Sequence, residues 1–123
     1  MNSKVTMALR LVLGLILIVF GANKFLNFMP MPDLSEGAAD FMGALGKTGY
    51  MFPLIGAIEV IAGLLLIFNK WVPFALVVLA PLAVNMLLFH LKFDLAGIGG
   101  AAVVSLLTVV LIYFNWNRYK SLF

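Results

Sequence analysis

No cysteine occurs in this chain. That excludes structural disulfides, thiolate metal sites and thiol–disulfide catalysis by the chain itself. A role in passing electrons between thiols and quinones would need a partner to supply the cysteines. Histidine is nearly as scarce, His90 being the only one. No zinc cage or histidine-paired haem site can be assembled from it. Charge is thin as well: 11% of the 123 residues are charged, where a soluble domain carries about a quarter. The net charge of +3 is scattered along the chain. No basic cluster and no base-stacking pattern is present, which excludes nucleic acid as a partner.

What fills the chain instead is apolar. Hydrophobic residues make up 64% of it, and the mean hydropathy is +1.14. Its main solvent is therefore expected to be the lipid bilayer, with one membrane domain over residues 1–123. The stretches Trp71–Leu91 and Leu95–Asn117 hold no charge, and each supplies the ~20 residues that cross a ~30 Å hydrocarbon core. Thr48–Asn69 is interrupted only by Glu59, and Val5–Leu26 by Arg10, Asn23 and Lys24. The expected fold class is all-α, an integral membrane four-helix bundle with spans at about 5–26, 51–69, 71–91 and 95–115. Val19-Phe20-Gly21 is a weak cleavage site, so the first run reads as a retained helix rather than a signal peptide.

Asn69-Lys70 and Lys92-Phe93-Asp94 break the later spans, and connections this short make neighbouring helices antiparallel. Pro53 and Pro73 fall in first turns, where a missing N–H costs nothing. Pro81 falls mid-span and predicts a kink. The basic residues set direction. With both termini cytoplasmic, the inner side holds Lys4, Arg10, Lys70, Arg118 and Lys120 without an acid. The outer side then holds Lys24, Lys47 and Lys92 with four acids. Trp71, Tyr113, Trp116 and Tyr119 become anchors at the inner interface, and Tyr50 at the outer. A bacterial-type cytoplasmic membrane is the expected location. In the Asn27–Tyr50 loop, Pro30-Met31-Pro32 opens a turn and Asp33 with Glu36 resembles a capping box. Ala38, Phe41, Met42 and Leu45 then form one apolar face, ended by Gly46 and Gly49. They predict a short amphipathic helix on the outer surface, over the bundle mouth.

Each span carries a stripe at coiled-coil spacing: Arg10, Gly14, Leu17, Gly21, Lys24; Phe52, Gly56, Glu59, Gly63; Val78, Pro81, Asn85, Leu88; and Gly97, Ala101, Ser105, Thr108, Ile112. Small residues permit close approach, and polar ones are expected to face inward because lipid cannot satisfy them. An ionised Glu59 near mid-membrane costs roughly 2.5–3.5 kcal/mol on insertion scales and needs a partner. Side chains lean toward their own helix N-terminus, so Lys24 leans into the membrane and Glu59 leans up to meet it. Arg10 leans toward the cytoplasm and can snorkel. Asn85 shares the depth of Glu59, giving an expected buried polar cluster of Lys24, Glu59 and Asn85. The cluster reads either as a structural ion pair that fixes helix register or as a working polar site. His90 lies about 140° around the helix from Asn85 and does not automatically join.

These residues resemble the DoxX-like family of small four-helix membrane proteins. The resemblance rests on Arg10 and Gly21-Ala22-Asn23-Lys24, and on Gly56, Glu59 and Gly63. It continues through Leu79–Asn85 with Leu88-Phe89-His90, Asp94–Gly97 and the basic, aromatic C-terminus. It implies a membrane redox association, with Lys24, Glu59, Asn85 and His90 at the outer mouth as the place for a quinone head group. Quinone is the one cofactor implied, and no metal. The functional expectation is an accessory or quinone-interacting subunit of a respiratory-type complex, bound to another membrane protein and not catalytic alone. The alternatives are a non-catalytic assembly factor or scaffold and, third, a dimeric proton-coupled exporter; a homo-oligomer is compatible with each. The exporter reading is weakened by Lys24, because such carriers need an unpaired carboxylate.

Overall fold

Long apolar runs without mid-run charge clusters favour helix, since in lipid every backbone N–H and C=O must be satisfied within its own segment. A computed structural model of the chain, describing residues 3–26 and 35–122, is all-helical over those residues apart from short turns. Its helices are α1 (Ser3–Leu26), α2 (Glu36–Lys47), α3 (Met51–Phe68), α4 (Val72–Phe93) and α5 (Ile98–Phe114), with 3-10 segments at Leu95–Gly97 and Trp116–Leu122. Among the described residues, α1, α3 and α4 are each long and apolar enough to cross a membrane. Helix α5 is apolar and shorter, at 17 residues, or about 26 Å of rise.

The four apolar helices close a ring: α1 against α3, α3 against α4, α4 against α5, and α5 back against α1. Its centre is filled by aliphatic side chains, with Leu13, Leu17, Leu66, Leu76, Leu79 and Leu111 almost wholly buried. Outward positions such as Leu15, Ile61, Leu106 and Val109 are exposed and equally apolar, as a lipid-facing sheath requires. We call the end that holds both termini the termini end and the opposite one the α2 end.

The α3–α4 turn is tight because Asn69 adopts the left-handed region at φ 56°. It lets Lys70 N donate to Leu65 O (2.9 Å) and Asn69 N to Leu66 O (3.3 Å), the Schellman close of a helix. Trp71, also left-handed at φ 50°, is a bulky residue where few are found. Pro73 falls in the first turn of α4 as expected, and the helix runs on through Pro81.

The expected loop helix is α2, and its start needs a correction. Its N-cap is Ser35, whose hydroxyl accepts from Ala38 N at 3.3 Å, and not Asp33. Asp33 and Pro30-Met31-Pro32 lie outside the described residues. Ala38 is buried, and Phe41 stacks near Phe89 and Phe93 with centroids 5.2 and 6.0 Å apart. Ser35 Oγ also donates to Phe93 O at 2.7 Å, tying the start of α2 to the end of α4. Helix α2 thus covers one end of the ring.

Candidate functional site at the α1–α3 seam

Helices α1 and α3 run antiparallel with two glycine pairs between them. A methyl group at Gly14 would meet Gly63 O at 2.9 Å, and one at Gly63 would meet Gly14 O at 2.7 Å. Gly21 and Gly56 stand in the same relation, at 2.8 and 3.0 Å from each other's carbonyl oxygens. Seven-residue spacing keeps each pair on one helix face, so the backbones approach where no side chain intervenes.

That closeness carries the charged residues inward. Lys24 is in the last turn of α1, and Glu59 is at the middle of α3. Their side chains lean toward each other, and Lys24 Nζ lies 2.5 Å from Glu59 Oε1. Glu59 is 2% exposed while Lys24 keeps 24% of its side chain accessible. The ammonium engages Oε1 alone, and Oε2 has no hydrogen-bond partner among the described residues. Oε2 is left buried and unmatched. Removing water from an ionised carboxylate is costly, and only the ammonium offsets it.

The other expected members of the cluster are elsewhere. Asn85 is exposed on the outer face of α4, which corrects its place in a buried cluster. The inward side of α4 is Val72, Ala75, Leu76, Leu79 and Ala83, all buried, whereas Pro81, Asn85 and Leu88 face outward. Depth along the helix was legible and azimuth was not, because α4 is apolar on every side. His90 sits at the α2 end and turns to Asp94. Its Nδ1 is 3.2 Å from Asp94 Oδ2 and 3.2 Å from Asp94 O, with Phe89 edge-on at 5.1 Å. The i, i+4 spacing His90–Asp94 at a helix end is the signal that would have found this dyad.

Arg10 does not snorkel. It is 9% exposed, and its Nη1 donates to Leu66 O and, at 3.1 Å, to Ile67 O. These carbonyls close α3, where the helix dipole is negative and a cation is favoured. Tyr119 is likewise no exposed anchor. It is 4% exposed and donates to Pro73 O at 2.8 Å. Burial pushes its phenol above the usual range, against the lowering effect of Arg118. Trp71, Tyr113 and Trp116 are exposed at the same end.

No group of three His, Asp or Glu side chains suited to a metal occurs among the described residues. The donor set at the seam, an ammonium within reach of solvent beside an unmatched carboxylate oxygen, fits a neutral ligand carrying a carbonyl or hydroxyl group. An apolar groove of about 190 Å3 opens between α3 and α4, lined by Ile58, Ile61, Ala62, Leu65, Phe74, Ala75 and Val78. It uses another face of α3 and includes neither Lys24 nor Glu59.

Comparison with known proteins agrees with this architecture. Over 64 residues the chain is 36% identical to a Bacillus subtilis (strain 168) protein named "Putative oxidoreductase CatD". That stretch is 52% of this chain and 42% of the relative, so the chain spans less than half of the curated protein it matches. No solved structure matches. The family model of DoxX matches residues 5–91, from α1 into the last turn of α4 and including Lys24, Glu59, Asn85 and His90. With well over half of its length matched, this all-helical membrane chain belongs to the DoxX family.

Proposed function

We propose that the chain is an accessory, quinone-interacting subunit of a membrane redox complex. Its four apolar helices all span a cytoplasmic membrane as one domain, with both termini inside. The carrying observation is the Lys24–Glu59 pair, in which a 2% exposed carboxylate leaves Oε2 without a hydrogen-bond partner among the described residues while the ammonium stays accessible. The relative named as an oxidoreductase supports the redox association.

A quinone, when bound, would supply the electron-accepting chemistry. The chain's own residues would orient and protonate. Lys24 Nζ would donate to a carbonyl oxygen, and Glu59 Oε2 would accept from a hydroxyl. The surrounding glycine-lined seam would exclude water, which strengthens both contacts. His90 and Asp94 stand at the α2 end, the entrance from the α2 side, rather than in the pair itself.

The test is Glu59→Gln in the protein purified with its native lipids. The amide keeps volume and hydrogen bonding but cannot hold a proton or balance Lys24. Under this reading the variant folds, yet loses co-extracted quinone and partner activity. A scaffold reading is favoured by the closeness of the pair, which already matches the carboxylate with a charge. It expects the contrary: thermal unfolding shifted down, and quinone content and partner activity unchanged. That second outcome would end the quinone reading. The orientation has its own test. An impermeant lysine reagent applied to intact cells should modify Lys47 and spare Lys70 and Lys120, and the reverse pattern would invert the topology.

A further inference from the structure

Asn85 is the polar residue that the ring leaves outside. It is exposed on α4, about 4 Å from the midpoint of that membrane-length helix by rise per residue. No hydrogen bond to its side chain is formed among the described residues. One turn earlier, Pro81 has no N–H to give, so the carbonyl of Val77 loses its helical donor. Val77 and Pro81 are exposed as well. Lipid chains offer these groups nothing, and an unmatched polar group in hydrocarbon costs far more than at a wet surface.

That face has a regular spacing. Phe74, Pro81, Asn85, Leu88 and Lys92 are all exposed and recur at steps of seven, four, three and four. That is the seam of two helices packed at a shallow angle, knobs into holes. Asn85 lies on that line, between Pro81 and Leu88.

We propose that this face of α4 binds the same face of a second copy of the chain, with Asn85 as the polar lock. A carboxamide both donates and accepts, so it is complementary to itself. Two copies inserted in the same direction are related by a two-fold axis along the membrane normal. Such an axis sets the two α4 helices side by side in parallel and brings the two Asn85 amides to one depth, where they can pair. An unrelated partner would need its own polar group at that depth; a second copy has one by symmetry. This inference does not depend on the Lys24–Glu59 pair being a ligand site, because that pair lies between α1 and α3 and not on α4.

The absence of cysteine makes the test clean, since an introduced thiol is the sole one. In native membranes, Leu88→Cys should be joined by mild oxidation into a disulfide dimer of this chain. Leu106→Cys, exposed on α5, should stay monomeric. Adding Asn85→Leu to Leu88→Cys should weaken association roughly three- to twentyfold, the range of interhelical hydrogen bonds in membranes. Asn85→Gln should largely retain it. Because Asn85 faces lipid, Asn85→Leu should leave thermal unfolding of the monomer in place. Several outcomes would each overturn the proposal: equal cross-linking with Asn85→Leu, equal cross-linking at Leu106→Cys, capture of a different protein by Leu88→Cys, or a chain that fails to fold with Asn85→Leu. Counting single molecules in lipid nanodiscs and finding only monomers would do the same.

Discussion

Along its α1 side, α3 meets glycine carbonyl oxygens and a buried charge; along its α4 side it leaves an apolar groove of about 190 Å3. The two sides are built from neighbouring residues. Gly63 touches the α1 backbone, and Ala62, 100° around the helix, lines the groove. In lipid there is no hydrophobic drive to close a gap between helices, because lipid tails fill it as well as a side chain would. Helices therefore come together where backbone shape and polar groups make contact with each other better than with lipid. At the first seam glycine and the Lys24–Glu59 pair do that. At the second nothing does, and side chains hold the helices apart.

The largest expected effect tests the polar part of that contrast. Lys24→Ala should strand Glu59 in low dielectric and cost about 3–5 kcal/mol of stability, as removal of one partner from a buried pair does. Unfolding in native-like lipid measures it. Combining Lys24→Met with Glu59→Met should recover much of the loss. A Lys24→Ala protein as stable as the parent would mean that the pair contributes nothing to the seam.

Shape comes next. Gly63→Ala forces a methyl group against Gly14 O and the Ile18 side chain, which should cost about 1–3 kcal/mol as overpacking. Gly43→Ala in α2, where a methyl would meet nothing within 4 Å, should instead stabilise by about 0.5–1 kcal/mol through helix propensity. The two variants unfolded side by side separate close approach from glycine's general weakness in helices. Tyr119→Phe, at the termini end, deletes one hydrogen bond to Pro73 O and should cost about 1 kcal/mol. The smallest effect belongs to the groove. Ile61→Val should change stability by less than about 0.5 kcal/mol, because this groove residue is exposed and its lost methyl gives up lipid contacts rather than packed neighbours. A loss as large as that of Gly63→Ala would erase the difference between the two sides.

Much of this was readable in the chain. Charge-free runs marked the helices, and the α3–α4 turn fell where Asn69 and Lys70 interrupt them. The Arg10–Lys24 and Phe52–Gly63 stripes, being punctuated by glycine and charge, pointed to their real faces, and the opposed lean of Lys24 and Glu59 gave their contact. Helix α4 offered no such punctuation. With apolar residues all round, the assumption that a polar residue turns inward decided its face, and Asn85 turned outward. Arg10 escaped because its acceptors are backbone carbonyls, which leave no mark in a sequence. Ser35 escaped for the same reason, since its acceptor is the backbone carbonyl of Phe93.

Arg10 also has a place in the order of synthesis. Its acceptors, Leu66 O and Ile67 O, leave the ribosome more than fifty residues after it, at about 5–20 residues per second. For those seconds the guanidinium on α1 waits without these acceptors. When the last turn of α3 arrives, the same guanidinium closes it. A nascent chain that stops short of Leu66 never receives that closure. One side chain of the first crossing is thus matched only when the second is complete.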